Sequence, residues 1–209
     1  MSFFENQQYE QSLEKFTKAI ELDNLKSTFF NNKALALYHI GKLRDSLDEY
    51  DKALELDRTD AKIHYNRGNT NLAMGKNRDA HTDFDKAISI TGTNSKFFHS
   101  KGLAYQDAED YDNAIKQFEM ALDISPEHVP SIFHLGLMQH KKGKLNDSLE
   151  SFTQVLKTIG EDRLVYESRG LVYQEMKQHN AAIEDFNSAI KLEPAYPENY
   201  YYRGLSKIQ

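Results

Sequence analysis

Apolar residues recur along the chain at helical spacing, in pairs of segments separated by short polar breaks. In residues 95–128, Phe98, Leu103 and Tyr105 mark one face of a first helix. Tyr111, Ile115, Phe118, Ala121 and Leu122 mark the face of a second. The pattern returns every 34 residues with no gap, giving full rows at 27–60, 61–94, 95–128, 129–162 and 163–196 and incomplete rows at 1–26 and 197–209. Each full row predicts two amphipathic helices, with breaks near row positions 15 and 32.

Several columns carry a packing rule. Position 8 reads Ala34, Gly68, Gly102, Gly136, Gly170, Gly204, and position 20 reads Ser12, Ser46, Ala80, Ala114, Ser148, Ala182. Position 24 is always aromatic: Phe16, Tyr50, Phe84, Phe118, Phe152, Phe186. Small residues at 8 and 20 let two helices approach, and the ring at 24 fills the space beside them. Each row therefore reads as a helical hairpin. Glycine and proline punctuate it: Gly41, Gly75 and Gly143 at position 15, and Gly92, Pro126, Gly160 and Pro194 at position 32. Position 7 is mostly basic and position 23 often acidic, which predicts Lys33–Glu49, Arg67–Asp83 and Arg169–Asp185 contacts across single hairpins. Row 61–94 departs most from the pattern. Asn71, Asn77 and His81 stand where the rows are normally apolar or aromatic, and are expected to satisfy one another as a polar cluster.

The period, the small columns and the aromatic column resemble the tetratricopeptide repeat (TPR) family across essentially the whole chain. The resemblance implies an all-α, right-handed superhelical solenoid of antiparallel helix hairpins, here a single array over 1–209. It also implies that first helices line a concave groove that receives a peptide or a partner helix. The position-32 proline of the family is kept only at Pro126 and Pro194.

Groove-facing positions 2, 5, 6 and 9 then become the candidate site. They hold Asn31, Asn32, Leu35, Lys62, Tyr65, Asn66, Asn69, Lys96 and His99 toward the N-terminus, and Phe133, His134 and Leu137 further on. The asparagines are similar to the amide ladders of TPR arrays that hold extended peptide backbones, since an amide both donates and accepts. Leu164, Leu171, Tyr201, Tyr202 and Leu205 make the C-terminal groove apolar, as suits an amphipathic partner helix. The clamp by which some TPR proteins hold acidic chaperone tails is not expected. Its five places read Asn31, Leu35, Asn66, Lys96 and Ser100, and only Asn66 and Lys96 match.

Composition narrows the field further. The formal charge of -6 disfavours a nucleic-acid grip, and the absence of cysteine excludes disulfides, thiolate nucleophiles and sulfur-based zinc sites. The mean hydropathy of -0.71 comes with no apolar run long enough for a membrane span. MSFFENQQYE lacks the layout of a secretory signal, so the expected compartment is the cytoplasm, with cytoskeleton or cilium as the alternative. No phosphate loop, nucleophile elbow or HExxH motif occurs; neither catalysis nor a cofactor is expected. Of the eight histidines, His39, His99, His134 and His140 fall on groove positions, too few in one place for a metal site.

The leading reading is a non-catalytic module for protein interaction. Its alternatives are a scaffold stacked within a larger assembly and a regulatory arm of a larger enzyme. Both terminal rows are incomplete, as in a segment of a longer array. If copies associate instead, the ends predict head-to-tail stacking through a composite hairpin.

Overall fold

The computed structural model describes residues 3–208, with side chains from Gln8 onward; Met1 and Gln209, the outer ends of the incomplete rows, lie outside the described residues. The described residues form helices and no strand: α1 (Phe3–Leu22), α2 (Ser27–His39), α3 (Leu43–Leu56), α4 (Ala61–Ala73), α5 (Asn77–Thr91), α6 (Ser95–Asp107), α7 (Tyr111–Ile124), α8 (Val129–Lys141), α9 (Leu145–Ile159), α10 (Arg163–Glu175), α11 (His179–Leu192) and α12 (Pro197–Ile208). They divide into two compact units, Met1–Ala108 and Glu109–Gln209. Row 95–128 is shared, with α6 in the first unit and α7 in the second.

The predicted breaks fall where expected, and the first is more uniform than its glycines suggest. Gly41, Gly75 and Gly143 have φ of 80°, 72° and 71°, and Glu109 and Lys177, at the same row position, adopt 57° and 59°. Four of these turns close in one way. The N–H groups of Lys42, Lys76, Lys144 and Gln178 reach the carbonyls of Leu37, Asn71, Gln139 and Tyr173. The left-handed residue before each also donates three residues back. The first helices begin with a second regularity, at position 34. Asp60, Asn94 and Asp162 cap α4, α6 and α10 by accepting from Lys62 N, Lys96 N and Val165 N.

Inside the hairpins the rings of Tyr50, Phe84, Phe118, Phe152 and Phe186 are wholly buried. A Cβ built on Gly68 would lie 2.7 Å from Phe84, one on Gly136 3.0 Å from Phe152, and one on Gly170 2.9 Å from Phe186. The small column at position 20 has a chemical use as well. Ser46 Oγ donates to the Ala34 carbonyl and Ser148 Oγ to that of Gly136, each at 2.8 Å, pinning the two helices where they are nearest.

Rows then stack. Each second helix packs on the first helix of the following row within its unit, and successive first helices touch: α2 with α4, α4 with α6, α8 with α10, α10 with α12. Among the described residues α3 does not pack on α5, nor α9 on α11. First helices thus form one face of each unit, and second helices spread apart on the other.

All three predicted charge pairs are present: Lys33–Glu49 at 3.1 Å, Arg67–Asp83 at 2.6 Å and Arg169–Asp185 at 2.8 Å. The same basic residue also reaches back to position 25 of the row before. Arg67 meets Asp51 at 2.8 Å, Arg169 meets Thr153 at 3.2 Å, Arg203 meets Asn187 at 2.8 Å, and Lys101 meets Asp85. The charge therefore ties neighbouring hairpins together as well as the helices within one.

The expected cluster of Asn71, Asn77 and His81 does not form. Asn71 Nδ2 donates to Asp83 at 3.0 Å, whereas the His81 ring lies 4.1 Å from that of Tyr105. The buried Asp83 carboxylate is the stronger acceptor and draws Asn71 away.

Gly170→Ala should lower stability by about 1–3 kcal/mol, because the new methyl must displace the fully buried Phe186 ring. Gly204→Ala, at the same row position inside α12 with nothing within 4 Å, should instead raise stability by up to about 1 kcal/mol in the same urea titration.

Candidate partner-binding faces

On the first-helix face of the Met1–Ala108 unit, three amides join in sequence. Asn66 Nδ2 on α4 donates to Asn31 Oδ1 on α2 at 3.0 Å, and Asn31 Nδ2 donates to Asn32 Oδ1 at 3.3 Å. Each bond fixes which way its amide faces. The chain therefore ends in an acceptor, Asn66 Oδ1, and a donor, Asn32 Nδ2, on an exposed side chain. Asn69 stands about one helical turn along α4, outside the amide chain. Leu35, Lys62 and Lys96 are exposed, and His99 is half-buried.

Tyr65 is placed differently from a free groove side chain. Its ring packs 4.8 Å from Phe97 and 6.1 Å from Phe84, while its hydroxyl accepts from Ser100 Oγ at 3.3 Å.

In the Glu109–Gln209 unit, Phe133 and Leu137 are half-buried against the core around Phe152, and the His134 ring lies 5.7 Å from Phe118. Phe133 and His134 nevertheless border an apolar cavity of about 230 Å³, together with Val129, Pro130, Ile159 and Leu164. Ile159 and Leu164 are half exposed, at 51% and 50%, and form its mouth. Leu137 turns toward the core instead. At the end of this unit Tyr202 stacks 5.7 Å from Phe186, and Tyr201 stays exposed.

Other groove histidines have side-chain partners. His39 stacks on Tyr9 at 4.6 Å, and His140 Nε2 lies 2.8 Å from Glu175, linking α8 to α10. Among the described residues no three His, Asp or Glu side chains group as a metal-ligand set, and no helix is long and apolar enough to cross a membrane.

Two features escaped the column reading. The first is Glu167 on α10, at groove position 5, 2.7 Å from Arg163. Burial raises its pKa above the ordinary glutamate range and Glu198 adds to this, against the pull of Arg163. Neither effect is a periodicity, so no column announces it. The second is a cleft between α3 and α5 on the second-helix side. Its signal was the irregularity of row 61–94.

The chain is similar to the family model described as TPR repeat over residues 34–75, and to that described as tetratricopeptide repeat over 95–128 and 165–196, together just over half its length. It belongs to the tetratricopeptide repeat family. No curated protein matches it. Among solved structures, the TPR chain resembles YrrB, described as a TPR protein with an unusual peptide-binding site, at 25% identity and a TM-score of 0.75, covering 92% of this chain and 99% of that one. It resembles pilF of Pseudomonas aeruginosa at 16% identity and a TM-score of 0.83, covering 97% and 92%. It also resembles a chain of the APC/C assembly Cut9–Hcn1 at 16% identity and 0.79, covering 95% of this chain and 39% of that one. The last two likenesses show the TPR solenoid fold alone.

A carboxyl whose pKa is raised on folding contributes most at low pH, and the contribution fades as pH rises through the folded-state value. Glu167→Gln does not ionise. Its stability relative to the parent should therefore increase as pH rises from about 4 to 7 in denaturant titrations; a decrease would contradict the burial argument.

Proposed function

We propose that this TPR chain binds an extended peptide segment of a partner protein across the first helices of its N-terminal rows. The amide chain Asn66–Asn31–Asn32 carries the reading. A peptide backbone alternates donors and acceptors, and the two open ends of this chain, a carbonyl oxygen on α4 and an amide N–H on α2, match that alternation without selecting a side chain. Because the amides already brace one another, little side-chain entropy is lost when a peptide arrives. Leu35, Lys62, Asn69, Lys96, the Tyr65 hydroxyl and His99 flank this line and tune preference for the bound side chains. Membership of a family of protein-interaction modules supports the reading, as does likeness to YrrB with its peptide-binding site.

The cavity beside Phe133, His134 and Leu164, within the Glu109–Gln209 unit, is a separate contact that suits an apolar side chain of a protein partner. The 34-residue register passes from one unit to the other without a gap, which supports reading both as one array.

An array of unrelated 12-residue peptides, probed with the purified chain, supplies the test ligand. Asn32→Ala with Asn66→Ala should weaken binding of the best peptide about tenfold by fluorescence anisotropy, the loss of one or two hydrogen bonds. Unchanged affinity, or no peptide bound at all, would defeat the proposal.

A further inference from the structure

Charge is sorted between the two sides of the Met1–Ala108 unit. The first helices α2, α4 and α6 hold five cations, Lys33, Lys62, Arg67, Lys96 and Lys101, against one carboxylate, Asp107. The second helices α3 and α5 reverse the balance, with eight carboxylates against four cations. Three of the five first-helix cations, at row position 7, turn toward those acids: Lys33 to Glu49, Arg67 to Asp83 and Asp51, and Lys101 to Asp85. Lys62 and Lys96, at row position 2, do not. Both are exposed, and among the described residues neither forms an ion pair. Carboxylates in the segments that lead into these helices are engaged: Asp23 with Lys26 before α2, Asp57 with Thr59 and Asp60 with the N-terminus of α4. Asp107 lies about three turns from Lys96, at the far end of α6.

Both lysines stand on the side of the amide chain. Asn66 follows Lys62 by one turn, and Ser100 follows Lys96 by one turn; these are the side chains that reach Asn31 and Tyr65 across neighbouring first helices. Each lysine also sits in the first turn of its helix, where the dipole disfavours a cation, so its place is not explained by helix stability. The second helices α3 and α5 carry Asp45 and Asp79 in that turn instead. We infer that the peptide held along the amide chain is an acidic one, whose side-chain carboxylates pair with Lys62 and Lys96. The inference rests on the peptide-binding reading above and names the class of peptide. An acidic segment supplies the counter-charge that these two cations lack, whereas a basic one would meet them with like charge. Because the lysines repeat at one position in successive rows, they address side chains along a passing chain and not the end of an acidic tail. Packed helices lie about 10 Å apart, close to three extended residues, so acids at every third position suit the pair.

Three 12-residue peptides, acetylated and amidated so that neither end is charged, repeat Glu-Gly-Ser, Gln-Gly-Ser or Lys-Gly-Ser and are compared by fluorescence anisotropy. The Glu peptide should bind about 2- to 30-fold more tightly than the Gln peptide at low salt, the range of two exposed ion pairs, and the margin should narrow at about 0.5 M salt. Lys62→Gln with Lys96→Gln should bring the Glu peptide to the level of the Gln peptide while circular dichroism stays unchanged. Lys62→Glu with Lys96→Glu should pass the preference to the Lys peptide, which a merely structural role would not do. Should the reversed variant fail to fold, Lys62→Gln with Lys96→Gln decides. Equal binding of the Glu and Gln peptides, stronger binding of the Lys peptide to the parent chain, binding of none of the three, or a Glu preference that survives Lys62→Gln with Lys96→Gln would each overturn the inference. The peptide-binding reading fails separately, through the unrelated array and the asparagine variants. A best array peptide that is neutral, weakened by Asn32→Ala with Asn66→Ala and untouched by the lysine variants keeps that reading and defeats this one.

Discussion

The ring at row position 24 lies against backbone at position 8, where a side chain would otherwise stand. Phe84, Phe152 and Phe186 come so near Gly68, Gly136 and Gly170 that a single methyl would meet the ring at 3.0 Å or less. This approach sets the separation of the two helices in a hairpin, and the rest follows from that separation. Ser46 and Ser148 reach carbonyls across the gap only because it is narrow. The bases at position 7 reach the acids at position 23 for the same reason, with Asp83 and Asp185 almost wholly buried. Where position 8 is alanine, at Ala34, the ring is Tyr50 and both remain fully buried. The contact thus admits a methyl in one row while the other rows keep glycine.

Once hairpins are fixed, stacking follows from the faces they leave apolar, and side chains outside those faces are free to differ. Function is sought among them. Asn31, Asn32 and Asn66 differ from their counterparts in later rows and join into one polar line. His64 and Asn71 differ from Tyr166 and Tyr173, and both lie against the Asp83 carboxylate that Arg67 also holds. A repeat makes such departures readable, because every residue comes with its own internal control.

Much of the fold was legible in order. The helices, their breaks, the small and aromatic columns and the three charge pairs all follow from a 34-residue register, since periodic burial writes itself into periodic composition. Position 15 was only partly legible. Three glycines marked it, yet Glu109 and Lys177 take the same left-handed backbone, Lys177 with the same closing hydrogen bonds as the glycines. The amide line was foreseen as neighbouring residues; which amide donates and which accepts was not.

What the sequence by itself determined is the repeat: hairpins of known register, their packing columns, and a family whose members work by interaction. Tertiary structure decided matters that depend on competition between neighbours in space. Asn71 went to Asp83 and not to its expected partners, because a buried carboxylate is the better acceptor. Tyr65 packed its ring against Phe97 and Phe84 and set its hydroxyl against Ser100. Arg67, legible as half of one ion pair, became the link between two rows and the floor of a cleft. A register lists what each position holds; the choice among partners rests on distance, burial and acceptor strength, which exist only once the chain has packed.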